Sequence, residues 1–493
     1  MAGLSGRSSR SVLFVLVTTI LSLLLYTAFI LRPSHIQLSP QISSDESSTP
    51  KITQLPGQSL NYAPPATASV AESIPNKSDT SNTTTQNLST NTQGTTTASS
   101  LAAATTAAVG TGRPSHWQFN STRDERAYGL TTEQCNAAFP DLYTEIDRAF
   151  EYRGDIGPIG PEDVNISWAK DGLVRALIMD QQLYILEETI SGNDCYTSRA
   201  FAILHAIHRS IITSPSTQPL PDIEFSFSVT DIPDSSHLGH SVWALTRLAD
   251  EQEKWLMSDF GYWSSPLDLE GSYEQIRKGM ADIEYPFMQK KKQLVWRGEV
   301  EAHVHGNELM TMTRGKQWAD VKDIGENATE LNSEGEGEVV SIPEHCLYQF
   351  VLQAQGHGYS SQGKYLQNCN SVVIIPKSRW IKQQHSLLSS KNFVEVKEDF
   401  SDLEEKVLAL LEDQEKAESI AQNGIETFRD RYLTPAAQTC YWRRLIQSWS
   451  EVSFEPELWE WRDIDGKRKI RGVPFETFYT DKDISEDHLF MAW

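Results

Sequence analysis

An α/β fold of two lobes, carried behind an apolar N-terminal segment and a polar stem, is what this 493-residue sequence predicts. Three observations point there. Strand-like and helix-like stretches alternate through both halves of the chain from about Tyr128 onward, the pattern of parallel sheets covered by helices. Residues 371–376 (SVVIIP) form an apolar run of the kind buried on both faces of such a sheet. All 13 Trp lie at Trp117 or beyond, which confines the large core-building side chains to that region.

The elements follow in order. Residues 1–11 form a short tail with Arg7 and Arg10, and residues 12–31 (VLFVLVTTILSLLLYTAFIL) carry no charge over 20 positions. That length spans a ~30 Å hydrocarbon core as one helix. The run outlasts the apolar region of a cleaved signal peptide and ends at Arg32-Pro33 without a small-residue cleavage site, so an uncleaved anchor is expected. Positive charge ahead of it keeps the tail cytosolic, which makes a single-pass type II protein with a lumenal head. Residues 32–115 read as a disordered, glycosylated stem. Positions 41–110 hold 26 Ser or Thr, six charged residues and one aromatic, Tyr62, too little apolar surface to offset chain entropy. Asn76, Asn82, Asn87, Asn120, Asn165 and Asn327 each open an Asn-x-Ser/Thr acceptor.

The head divides into residues 116–288, 289–440 and a C-terminal segment, 441–493, expected to pack back on the first lobe. Thr131-Thr-Glu-Gln134 reads as a capping box before a helix running toward Arg148. Residues 172–187 read as strands, 198–212 as a helix and 221–229 (PDIEFSFSV) as a strand ending at Thr230-Asp231. In the second half, 292–296 is a strand opening onto Arg297-Gly298. Helices are expected over 344–354 and 364–369, strands at 371–376 and 393–396, and two further helices over 401–411 and 415–432. Acidic residues 323–340 read as an exposed loop. Ligands of open α/β sheets sit beyond the carboxyl ends of the strands. Asp231, Arg297 and the Gly356–Gly363 turn are therefore expected around one cleft.

The formal charge of −23 repels nucleic-acid phosphates, so nucleic acid is excluded as a general partner, and an anionic substrate needs a locally basic pocket. Asp259-Phe-Gly261 matches a kinase triplet without the accompanying loops. Gly358-Tyr-Ser360-Ser-Gln362 lacks the closing Gly of a nucleophile elbow. His303-x-His305 lacks further metal-ligand spacing, so no metal is expected.

The blocks Trp255–Pro266 (WLMSDFGYWSSP), Leu294–Gly298 (LVWRG), Ser341–Cys346 (SIPEHC), Gly363–Cys369 (GKYLQNC) with 371–374, Phe400–Glu405 (FSDLEE), Phe428–Leu433 (FRDRYL) and Cys440-Tyr-Trp442 are ordered along the chain. Together, over roughly Tyr128 to Phe478, they resemble glycosyltransferase family 90, the capsule-associated and lipopolysaccharide-modifying family that includes the protein O-glucosyltransferases, and its fungal branch in particular.

The resemblance implies a GT-B-like fold, in which two Rossmann-like lobes, an acceptor lobe and a nucleotide-sugar lobe, face across a cleft. It also implies inverting transfer of a xylose- or glucose-class sugar from a UDP-sugar to a hydroxyl of a glycan or protein, with no metal and no cofactor beyond the donor substrate. Without a metal, the departing diphosphate needs Arg, backbone N–H groups or a helix start. Arg297 and Gly298 match the family's donor site, and Gly358, Tyr359, Ser360, Ser361 and Gln362 form its Gly/Ser turn. Read from the residues alone, Arg297 equally suits a structural arginine on a carboxylate, and the turn a plain connection. Asp231 matches the catalytic base, which takes the acceptor proton; otherwise it is a turn Asp. Trp243, Tyr262 and Trp263 are candidates for sugar stacking or ordinary core.

Two family arginines that contact the diphosphate are replaced here by Gln362 and His305. A catalytically weak or dead glycan-binding or assembly subunit of the same fold is therefore the alternative function. The resemblance pairs Cys346 with Cys369 and Cys135 with Cys440. Cys195 is left over and expected to be buried and free. A Golgi or other secretory-pathway membrane is the expected location.

Overall fold

The structure, a computed structural model, describes residues 117–232, 240–262, 271–325, 340–356, 358–461 and 466–483. The anchor and stem, with Asn76, Asn82 and Asn87, and also Trp263 and Asn327, lie outside the described residues. Among the described residues, no helix is long and apolar enough to cross a membrane.

The head is mixed α/β. Its first sheet contains β1 (Leu173–Met179), β2 (Gln182–Glu188), β3 (Ile223–Ser228), β4 (Trp243–Ala244) and β5 (Trp255–Leu256). Their order is β2-β1-β3-β4-β5, with the late strand Val473–Pro474 added beside β2. The expectation of a parallel sheet needs correction here. β1 runs antiparallel to both β2 and β3, and only β3, β4 and β5 are parallel. The cause is local. Asp180 and Gln181 both take positive φ (50° and 63°), making a two-residue hairpin turn that is far too short for a parallel crossover.

The second sheet is wholly parallel, as expected. It holds β6 (Lys291–Gly298), β7 (Ala319–Asp323), β8 (Tyr348–Leu352), β9 (Val372–Pro376) and β10 (Val394–Val396) in the order β10-β9-β8-β6-β7. The chain leaves β6 for β7 on one side and returns to β8 on the other, so the strand order reverses between β6 and β8. A crevice at the carboxyl edge beside such a reversal is where open α/β sheets bind ligands.

Helices depart from expectation in instructive ways. The capping box at Thr131 and Gln134 forms, but its helix stops at Ala138, just before Pro140, and a new helix spans Thr144–Ile156. The Asp194–Ile212 helix starts earlier than expected because Asn193 caps it, its side chain accepting the Tyr196 N–H. The helix expected over 344–354 is instead a short 3-10 turn, Pro343–Leu347, followed by β8. All five β8 residues are buried, and an apolar run in mid-sheet has no exposed face to reveal its period.

Two main cores follow. One fills the first lobe and includes Phe428, Tyr432 and Leu433, the Pro435–Glu451 helix and Phe475, so the chain returns to the first lobe at its end. The other lies under the parallel sheet, from Phe287 to Ala421. The disulfide Cys135–Cys440 fastens the first capped helix to the returning one, and Cys346–Cys369 links the turn before β8 to the residues before β9. Cys195 is free but exposed, contrary to expectation. It sits in the first turn of its helix, whose buried face begins only at Ala200.

Candidate functional site

A cavity of about 320 Å³ opens at the carboxyl edge of the parallel sheet. Gln353 and Gln355 enter it just beyond β8, Gly358, Tyr359 and Ser360 follow on the next loop, and Gly363 and Lys364 on the short helix Gln362–Leu366 after it. The segment beyond β9 supplies Lys377, Trp380 and Lys382, while the first lobe supplies Asp259 and Tyr262 from the stretch after β5.

Close packing explains the glycines of this loop and of the helix it leads into. A Cβ on Gly358 would lie 2.5 Å from the Asp231 carbonyl oxygen, and one on Gly363 would lie 2.7 Å from the Gln353 carboxamide. The loop therefore seats directly on the end of β3, where the Tyr359 N–H donates to the Asp231 carbonyl at 2.8 Å. Asp231 thus stands one hydrogen bond from the cavity wall. Its side chain is 48% exposed, with one carboxylate oxygen 2.9 Å from the Arg199 guanidinium. Arg199 is itself held by the Val229 carbonyl and lies over the Phe260 ring.

The cavity is cationic although the chain is acidic. Lys364, Lys377 and Lys382 line it against the carboxylates Asp259 and Glu395. Lys364 Nζ sits 2.6 Å from Asp259 Oδ2, both side chains almost fully buried, and also donates to the Ser361 carbonyl. The other Asp259 oxygen accepts the Gly261 N–H. Burial, reinforced by the Asp259 charge, holds the Tyr359 phenol far above its ordinary range. Tyr262 is also raised by burial, and its hydroxyl accepts from Gln384 Nε2 at 2.7 Å. The side-chain oxygens of Gln353 and Gln355 are buried without a hydrogen-bond donor among the described residues. Buried acceptors in that condition suit a polar ligand that brings its own N–H or O–H groups.

Several expected residues lie elsewhere. Arg297 does not line the cavity: its guanidinium, 4% exposed, donates to the Asp320 carboxylate at 2.8 Å and to two backbone carbonyls. Against burial, which raises it, hydrogen bonds from Tyr348 and Arg297 hold the Asp320 carboxyl below its ordinary value. That contact with a carboxylate is the one the structural reading of Arg297 calls for. Gly298 lies tight against the Trp296 ring. His305 precedes the Gly306–Thr313 helix with φ 57° and turns to Glu308, while His303 bonds the Glu299 carbonyl and packs edge-on to Trp296. No group of three His, Cys, Asp or Glu that could hold a metal ion occurs among the described residues. Ser361 and Gln362 begin a five-residue helix at the end of the cavity loop without lining the cavity themselves. Trp243 is wholly buried and stacked on Phe225, so it is core and not a sugar platform. Tyr262 does line the cavity. Of the acceptors for glycosylation, Asn120 is exposed and Asn165 half-buried.

Asp259, Lys364 and Lys382 are site residues that sequence reasoning missed. Lys364 stands inside the block GKYLQNC, and Lys382 in the loop after SVVIIP, where the rule of carboxyl-edge ligands already pointed.

Known proteins bear on this geometry. The family profile described as Glycosyl transferase family 90 matches residues 132–460, more than half of the chain. O-glucosyltransferase LpsA of Dichelobacter nodosus is 27% identical over 165 residues, 33% of this chain and 49% of that protein. Protein O-glucosyltransferase 1 of Homo sapiens is 26% identical over 141 residues, 28% of this chain and 34% of that protein. The O-glucosyltransferase rumi homolog of Anopheles gambiae is 28% identical over 145 residues, with the same two coverages. The chain therefore spans half or less of the length of these curated relatives.

Proposed function

The chain belongs to glycosyl transferase family 90, and from that premise we propose that it transfers a glucose- or xylose-class sugar from a UDP-sugar to a hydroxyl of a glycan or protein, with inversion and without a metal. The observation that carries this reading is the cationic cavity on the carboxyl edge of the parallel sheet, with Asp231 one hydrogen bond from its wall. A cleft between two α/β lobes suits the GT-B arrangement, one lobe holding the donor and the other presenting the base.

In the proposed reaction the Asp231 carboxylate takes the proton of the acceptor hydroxyl as its oxygen attacks the anomeric carbon. The bond from that carbon to the diphosphate oxygen breaks on the opposite face. The electron pair leaves with UDP, whose growing charge faces the lysine-bearing wall. The head is proposed to stand in the lumen of a secretory-pathway membrane, a Golgi membrane in the simplest case, tethered by residues 12–31. Two disulfides fit that oxidising compartment.

A panel of UDP-glucose, UDP-xylose and GDP-mannose, scored by nucleotide release from the detergent-solubilised full chain, tests the reading. Release from a UDP-sugar and none from GDP-mannose is expected. UDP binding without release from any donor would instead favour the assembly subunit. Arg297→Ala provides a second measurement: UDP affinity unchanged, and stability lowered by about 1–3 kcal/mol because the Asp320 carboxylate keeps Tyr348 but loses its charged partner. A melt paired with UDP titration checks both parts.

A further inference from the structure

Among the described residues, neither Lys377 nor Lys382 of the cavity lysines has a carboxylate within ion-pair distance, and of the two Lys377 is exposed while Lys382 is half-buried. The Lys382 Nζ donates to the Ser360 carbonyl at 3.0 Å and stands 5.2 Å from the centre of the Tyr359 ring. The two acids that bear on it are already committed, Asp259 to Lys364 and the Gly261 N–H, Asp231 to Arg199. Lys364 and His385 add like charge or a titratable ring nearby. Lys377 and Glu395 complete the charged lining of the cavity.

The backbone around Lys382 is fixed by other groups. Ile381 exchanges two backbone hydrogen bonds with Arg247 of the first lobe, at 2.8 and 3.1 Å. The Gln383 side chain accepts from Ser258, and Gln384 donates to Tyr262. The segment is stitched to the opposite lobe on both sides of Lys382, so the ammonium is held at the seam and is not needed to hold the seam together. A cation placed in a polar cavity without a counter-charge suits an anionic ligand.

We infer that Lys382 is the residue that binds the diphosphate of the donor nucleotide, and that donor affinity is gated by its protonation. The inference rests on the reading of the cavity as a nucleotide-sugar site and adds to it the residue and its pH dependence. Burial lowers the Lys382 ammonium to about 8, with Asp259 opposing the fall. A diphosphate prefers the charged form, so affinity is full below that value and falls as pH rises through it. Bound diphosphate stabilises the ammonium, so the fall continues until pH passes the higher value of the complex.

Calorimetric titration of the full chain with UDP, and with uridine as a phosphate-free control, tests this between pH 7 and 9. UDP affinity of the unaltered protein is expected to fall across the range while uridine affinity changes far less. Lys382→Met should weaken UDP about 10–100-fold at pH 7 and remove most of the pH dependence, leaving uridine unaffected. Lys382→Arg should retain UDP binding and flatten the profile, because a guanidinium stays charged throughout. That conservative variant separates a charge requirement from a folding defect. UDP binding to Lys382→Met with unchanged affinity and the same pH slope would overturn the inference alone. Failure of the unaltered protein to bind UDP at any pH would overturn the nucleotide-sugar reading, and the inference with it.

Discussion

Replacing Asp231 with asparagine is expected to lower kcat for sugar transfer by about 10²–10⁴-fold while leaving UDP affinity unchanged. The substitution is nearly isosteric, and its consequences can be followed atom by atom. The side chain is 48% exposed, so no buried charge is created or removed. An asparagine oxygen can still accept the Arg199 N–H, and the Asp231 carbonyl that receives the Tyr359 N–H belongs to the backbone. Cavity shape and nucleotide binding are therefore expected to survive, and what disappears is the group proposed to take the acceptor proton. Steady-state UDP release, with and without acceptor, measures the first effect and calorimetry the second. Retention of wild-type kcat by Asp231→Asn would remove Asp231 as the base.

Arg199 bears on the same result. It pairs with the Asp231 carboxylate while anchored on the Val229 carbonyl and over Phe260, so it aims that carboxylate instead of leaving it to turn in solvent. What that pairing supplies is orientation.

The sequence made the frame legible where side-chain period and end signals agreed. PDIEFSFSV alternates and is β3; SVVIIP is uniformly apolar and is β9; Thr131 and Gln134 form the expected reciprocal cap. β8 was illegible for a physical reason: a strand buried on both faces shows no period, and YQFVL suits a buried helix equally well. The hairpin turn at Asp180-Gln181 carries no glycine to announce its positive φ, so the antiparallel start of the first sheet is hidden too. At the site, the sequence placed Asp231 and the Gly358 loop near one another, but it looked for cationic charge at Arg297. One neighbouring residue decides that outcome. Asp320 on β7, in register with Val295, reaches Arg297 diagonally across the strand pair, and cross-strand neighbours are invisible before the strand order is known. Asp259 is the converse case. As a kinase triplet it carries nothing, yet its loop delivers it to Lys364 and into the cavity wall.

Trp243→Ala is expected to destabilise the head by about 3–5 kcal/mol without weakening UDP binding in the protein that remains folded. Trp243 is fully buried, stacks on Phe225 with ring centres 4.0 Å apart, and packs against Trp442 and Trp449 of the returning helix. It also stands at the join of β3, β4 and β5, paired with Phe227 on one side and Trp255 on the other. Truncation would open a cavity where the sheet meets the helix that closes the first lobe, and a strand hydrogen-bonded on both sides cannot shift to fill it. The indole N–H has no hydrogen-bond partner among the described residues, so Trp243→Phe loses no polar contact and should cost less. Thermal melts rank the two variants, and UDP titration below the transition tests the functional half. A loss of sugar-acceptor affinity in Trp243→Ala with an unchanged melt would restore the stacking role. The stacked and T-shaped rings around Trp243 already occupy its faces, and no sugar ring can reach them while the first lobe stays folded.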